Sequence, residues 1–171
     1  RVPFMLVLFL VTFIDATVHQ CYFIWTGRYL TSIGIPANWV MPAMSVGQFA
    51  EIGTMAVLGY FLKRLGWRWT MILGILGHAV RFFIYSIGEP TWLVVASNVV
   101  HGFCYAFFFA SVYIFVYEHF PKDARASAQG LFMIMTNGLG AFVGGMASGW
   151  VVDHFTANGV KDWQSIWLTF A

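Results

Sequence analysis

Residues 91–117 read TWLVVASNVVHGFCYAFFFASVYIFVY, twenty-seven consecutive positions without an Asp, Glu, Lys or Arg. A helix of about 20 residues crosses the roughly 30 Å of bilayer hydrocarbon. The stretch is therefore long enough to span a membrane, and too long for a buried strand. The pattern recurs on both sides. Apolar blocks run over roughly 3–30, 39–62 and 69–88 before it and 127–152 after it, and a sixth begins near Trp163. Across the chain 60 % of residues are apolar and 9 % charged, with a mean hydropathy of +0.74. A soluble domain carries about 25 % charged residues to keep its surface wet. Lipid must solvate most of this chain, and the fold class expected is all-α, a polytopic transmembrane helical bundle.

The links between blocks are short and hold the residues that stop helices. Gly34-Ile35-Pro36, Gly66, Gly88-Glu89-Pro90, Pro121-Lys122-Asp123 and Asn158-Gly159 fall one to each link. Short links imply antiparallel neighbours in one bundle, so residues 1–171 are expected to form a single transmembrane helical domain. Basic residues alternate between links. Lys63, Arg64 and Arg68 crowd the second link and Lys122 and Arg125 the fourth; the first and third have none, and the fifth has only Lys161. Cytoplasmic loops carry the excess of Lys and Arg, so the second and fourth links are expected to face the cytoplasm, in the cell (inner) membrane. The chain starts at Arg1 and ends inside an apolar run, and is expected to be truncated at both ends.

Several classes of function find no support. A net charge of +2, with basic residues clustered in links, does not describe a nucleic-acid surface. Cys21 and Cys104 sit inside apolar blocks without metal-type spacing. There is no phosphate-binding glycine loop, nucleophile elbow or HExxH. His78 and His101 offer a haem nothing beyond their presence. No enzyme, cofactor or metal site is expected, and the first block is too long for a signal-peptide core.

The informative residues are ionisable or polar ones inside the apolar blocks: Asp15, Arg28, Glu51, Arg81 and the histidines at 19, 78 and 101. A charge at mid-bilayer costs on the order of 2.5–3.5 kcal/mol on insertion scales, so such residues normally face a protein interior or an aqueous cavity. Gln48 and Glu51 are spaced i, i+3 and project from one helix face. An amide beside a carboxyl can hydrogen-bond a polyhydroxylated or heterocyclic solute, and a carboxyl bordering a cavity can exchange a proton. A structural pairing of Glu51 with Arg81 or a tyrosine is the alternative. His101, Tyr105 and Phe109 follow an i, i+4, i+8 line with Asn98 and Tyr113 beside it, either a ligand-stacking stripe or plain packing. In the first block Asp15 and His19 at i, i+4 could pair, and Thr17 and Gln20 at i, i+3 could share a cavity. Arg28 can snorkel to the interface, whereas Arg81 needs an acidic or carbonyl partner. The ridges Gly140/Gly144 and Gly145/Gly149 allow close helix approach in lipid.

The run Val46-Gly47-Gln48-Phe49-Ala50-Glu51-Ile52, the basic link Lys63-Arg64-Leu65-Gly66, His101-Gly102 followed by Tyr105, Arg125-Ala126-Ser127-Ala128-Gln129-Gly130-Leu131, and Asp162-Trp163-Gln164 stand in that order. Together they resemble the C-terminal half of the nucleoside:proton symporters of the major facilitator superfamily. The resemblance implies twelve helices in two six-helix halves around a cavity open alternately to each side. This chain would supply five full helices and the start of a sixth. It also implies that Gln48, Glu51, Tyr105 and Phe109 line the nucleoside site, with Thr17 and Gln20 as a looser match on the first helix. Glu51 or the pair Asp15/His19 would couple a proton. Lys63, Arg64, Arg68 and Arg125 would act in electrostatic gating, and Arg81 in structural charge. The partners implied are a nucleoside or similar small polar solute, a proton, the lipid bilayer and the missing N-terminal half. A transporter of sugars or another metabolite, and a solute-binding membrane sensor without transport, are the alternatives.

Overall fold

The computed structural model describes residues 2–171, with side chains from Met5 onward. Helix α1 spans Val2–Ser32, and Gly34-Ile35-Pro36 turns the chain into α2, Ala37–Ile87. Fifty-one residues of straight helix would measure about 76 Å, more than twice the bilayer core. Gly66 interrupts it with φ 74° and ψ 169°, a conformation that only glycine reaches without steric cost. The two arms, 37–65 and 67–87, are therefore separate crossings, and the second ends at Gly88 in the left-handed region.

Helix α3 (Thr91–Ala96) and α4 (Asn98–Tyr105) lead into a π-helical turn, Ala106–Ala110, and then α5, Ser111–His119. Together they make one crossing, Thr91–His119. After the Pro121 link, α6 (Arg125–Met133), a second π segment (Ile134–Gly140) and α7 (Ala141–His154) make another, Arg125–His154. A two-residue hairpin, β1 (Thr156–Ala157) with β2 (Val160–Lys161), precedes α8, Trp163–Phe170. Helix α8 is too short to cross a bilayer. The five full crossings and the start of another fall where the apolar blocks lie.

Close packing at glycine fixes how the crossings meet. A Cβ on Gly102 would collide with the backbone of Glu51, Ala50 and Gly47, so α4 lies directly on the first arm of α2. Gly140, at the end of the second π segment, and Gly144 of α7 do the same against Ala16, Thr17 and Gln20 of α1, whereas Gly149 meets nothing within 4 Å. Of the two ridges legible in the sequence, one carries the α1 contact. A buried aromatic cluster seats α8: Trp167 stacks on Phe82 at 5.4 Å and packs edge-on against Tyr85 and Tyr29. Phe49, Ile52, Phe142 and Trp150 remain largely exposed, as side chains solvated by lipid tails should be.

Candidate functional site

A cavity of about 300 Å³ opens between α1, the first arm of α2, the α4–α5 crossing and the α6–α7 crossing. That is the lower end of the range for small-molecule sites, about 300–1,000 Å³. The first arm of α2 contributes Gln48 and Glu51 to its wall, and the α4–α5 crossing contributes Tyr105 and Phe109. From α1 come Gln20 and His19. The Gly47–Gly102 contact brings these groups together, because it holds the α2 backbone at residue 51 against α4 one residue from His101.

One wall is aromatic. Tyr105 and Phe109 lie 5.6 Å apart between ring centroids. His19 stands 5.1 Å from Phe109 and stacks nearly parallel to His101 at 5.0 Å. The π-helical turn enters here: it inserts an extra residue per turn at Ala106–Ala110 and rotates Phe109 relative to an α-helical line. Part of the lining is polar. Tyr113 and Thr136 face each other, Oη to Oγ1, at 3.5 Å, and Asn137 adjoins them. Sequence reasoning passed over Thr136 and Asn137. The signal was present, since Met135-Thr136-Asn137-Gly138 is a polar interruption of an apolar block, the same signal that drew attention to Gln48 and Glu51.

Other expected residues lie elsewhere. The Thr17 hydroxyl donates to the Phe13 carbonyl of its own helix at 2.8 Å, and its backbone sits under Gly144; Thr17 is not among the residues that line the cavity. Asp15 does not pair with His19. Its Oδ2 faces His78 Nε2 at 3.7 Å, because at this helical phase Asp15 points at the second arm of α2. Glu51 makes no ion pair with Arg81 among the described residues. Arg81 is fully buried and finds two histidines in place of an acid: Nη1 meets His101 Nδ1 at 2.6 Å and Nη2 meets His78 Nδ1 at 3.3 Å. Its guanidinium also lies 4.1 Å over the Tyr22 ring. Lys63, Arg64 and Arg68 are exposed around the Gly66 break. Arg125 donates from Nε to the Phe120 carbonyl at 3.0 Å and covers Tyr117. Arg28 is exposed and lies 5.0 Å over Trp25.

A sequence profile of the nucleoside H+ symporter family matches residues 1–171, the whole chain. The chain belongs to that family. A xanthosine permease of Escherichia coli is 43 % identical to this symporter-family chain over 132 residues, 75 % of the chain and 32 % of the permease. The nucleoside permease NupG of the same organism is 40 % identical with the same coverage. A putative nucleoside transporter, YegT, is 31 % identical over 95 % of the chain and 40 % of its own length. The crystal structure of the nucleoside transporter NupG superposes with a TM-score of 0.87 at 31 % identity, covering 97 % of this chain and 44 % of that one. The matched part of the chain thus spans about a third of the length of these two permeases. The relatives are permeases and not enzymes. With its apolar crossings, this family member is a multi-pass inner-membrane protein carrying part of a major facilitator fold.

Proposed function

We propose that these helices form the C-terminal half of a proton-coupled transporter that takes up nucleosides by alternating access. The observation that carries the reading is the convergence of Gln20, Gln48, Glu51, Tyr105 and Phe109 on one cavity within an otherwise apolar bundle. A nucleoside offers a flat heterocycle and a vicinal diol, and the cavity offers a matching pair of surfaces. Tyr105, Phe109 and His19 provide ring faces for the base. Gln48, Glu51, Gln20 and Asn137 provide donors and acceptors for the ribose and base edges. The similarity to nucleoside permeases points the same way.

The side of the cavity away from these helices is closed in this reading by a second, N-terminal helical half. Rocking of the two halves exposes the site to each face in turn. Glu51 is positioned to sense both substrate and proton, since it is a carboxyl in the cavity wall. Lys63, Arg64, Arg68 and Arg125 flank helix ends at the expected cytoplasmic side, where contacts with the opposite half would favour one state.

Full-length protein in proteoliposomes tests the proposal. Uptake of labelled uridine driven by an inward proton gradient, and competed by nucleosides but not by sugars, is the expected result. Uptake competed by sugars would reassign the substrate, and solute binding without flux would make the protein a sensor. Glu51→Gln is expected to abolish accumulation against a gradient; a variant that still accumulates removes Glu51 from the coupling step.

A further inference from the structure

We propose that Asp15, His78, Arg81 and His101 form a buried charge relay in which proton binding at Asp15 is transmitted to the wall of the nucleoside cavity. This rests on the transport reading above and assigns its coupling step. Arginine is donor-only and stays charged. Both imidazole nitrogens that meet Arg81, His101 Nδ1 at 2.6 Å and His78 Nδ1 at 3.3 Å, must therefore accept. Each ring is held neutral with its proton on Nε2. That tautomer points the His78 Nε2–H at Asp15 Oδ2, 3.7 Å away. On the other side of the guanidinium, His101 lines the cavity and stacks on His19. One fully buried cation thus touches an imidazole that lines the cavity and, through His78, reaches a carboxylate outside it.

The remaining neighbours leave Asp15 as the group able to change charge without breaking the arrangement. His19, one turn along the same helix, also has an Nδ1 without a hydrogen-bond partner among the described residues, but a proton there would add a second positive charge beside the Arg81 cluster, whereas a proton on Asp15 only removes a negative one. His78 and Arg81 face Asp15 from the second arm of α2, His101 and Cys104 come from α4, and α8 presents Phe170. Tyr22 and Tyr85 around the guanidinium are committed to Asn98, donating to its Oδ1 at 3.1 and 2.6 Å. Protonating His78 or His101 at Nδ1 would set two donors against each other. Protonating Asp15 costs no hydrogen bond among the described residues, since its Oδ2 has none.

With Asp15 ionised, carboxylate and guanidinium balance within one low-dielectric cluster. A proton from the aqueous phase adds to the Asp15 carboxylate, giving the neutral acid and leaving Arg81 uncompensated. The acidic group beside His101 in the cavity wall is Glu51, whose backbone packs on Gly102. The freed positive field then acts on Glu51 and the solute held there. Proton and nucleoside thereby become linked ligands at separate sites.

Infrared difference spectra between acid and alkaline pH, on the full-length transporter in liposomes, test the relay without relying on flux. Wild type should show a titrating carboxylic-acid carbonyl band that Asp15→Asn lacks and Asp15→Glu regains. Added uridine should move the midpoint of that band by about one pH unit, as reciprocal linkage requires. His78→Gln should keep the band and lose the shift. In flux assays Asp15→Asn should let uridine equilibrate without accumulating it, with counterflow exchange continuing. An Asp15→Asn spectrum that has lost no carbonyl band relative to wild type, wild-type accumulation by that variant, or an unchanged uridine shift in His78→Gln each overturns the relay. If Asp15→Asn does not fold, the Asp15→Glu and His78→Gln spectra decide the same question. A wild type that titrates Asp15 but neither binds nor exchanges uridine would sink the transport reading and leave the proton site standing.

Discussion

Tyr105 and Phe109 present neighbouring rings to the cavity. Their rings stand 5.6 Å apart in the cavity wall, and an aromatic face stacked on a nucleobase is worth about 1–3 kcal/mol. Tyr105→Ala should therefore weaken uridine binding by about tenfold or more, since about 1.4 kcal/mol is a factor of ten; isothermal titration on detergent-solubilised protein checks this. Asp162 is a residue of a different kind. It caps α8 by accepting from the Ser165 amide at 3.2 Å and from the Ser165 hydroxyl at 2.6 Å. Those bonds, the hydroxyl's first, hold its carboxyl below the usual range. A depressed carboxylate stabilises the fold above its unfolded titration range and loses that contribution as pH falls through the folded value. Removing the cap in Asp162→Ala should cost about 1 kcal/mol, and the difference from wild type in thermal unfolding should shrink toward acid pH. Arg81 was expected to meet an acid or a carbonyl. It meets two histidines, 20 and 3 residues away in the chain, a pairing that residue type alone does not announce.

Each helical element carries a message that periodicity reads only in part. Block lengths place five crossings correctly because bilayer thickness imposes the length directly. The π segments at Ala106–Ala110 and Ile134–Gly140 are invisible to a 3.6-residue period. They occur beside the cavity, where Phe109 and Thr136 owe their orientation to the extra residue. Gly102 is the element-scale pivot: its missing side chain lets α4 touch the α2 backbone at Glu51 and Gly47. Gly102→Ala forces backbone apart, and overpacking of this sort costs roughly 1–3 kcal/mol. The expected outcome is a lower melting temperature together with weaker uridine binding, because the same contact sets the distance between Glu51 and Tyr105. Gly149→Ala, with open space around it, should leave both unchanged.

At the scale of the whole molecule, water and lipid must be sorted onto different faces of the same helices. Gln48 borders the cavity while Phe49, the next residue, is 75 % exposed on the outer surface. In the full-length protein Gln48→Cys and Asn137→Cys should react with a membrane-impermeant thiol reagent and, on the proposed reading, be protected by uridine, whereas Phe49→Cys should not react. Cys21 and Cys104 are buried and should give little background. Equal labelling at 48 and 49 would remove the aqueous cavity. How much of the site could be read in advance follows from the same sorting. Gln48, Glu51, Tyr105 and Phe109 were legible because a polar tip in an oily block needs a wet or polar neighbour. Thr17, unlike Gln20, does not line the cavity, because i, i+3 spacing says that two side chains share a face without saying which helix covers each end of it. By itself the sequence determined the number, length and breaks of the crossings, since hydrophobic length and glycine at positive φ are local constraints. Only the tertiary structure decided which polar groups share a chamber and which side chains answer Arg81, because those are settled by glycine contacts and helix phase between segments brought together by the fold.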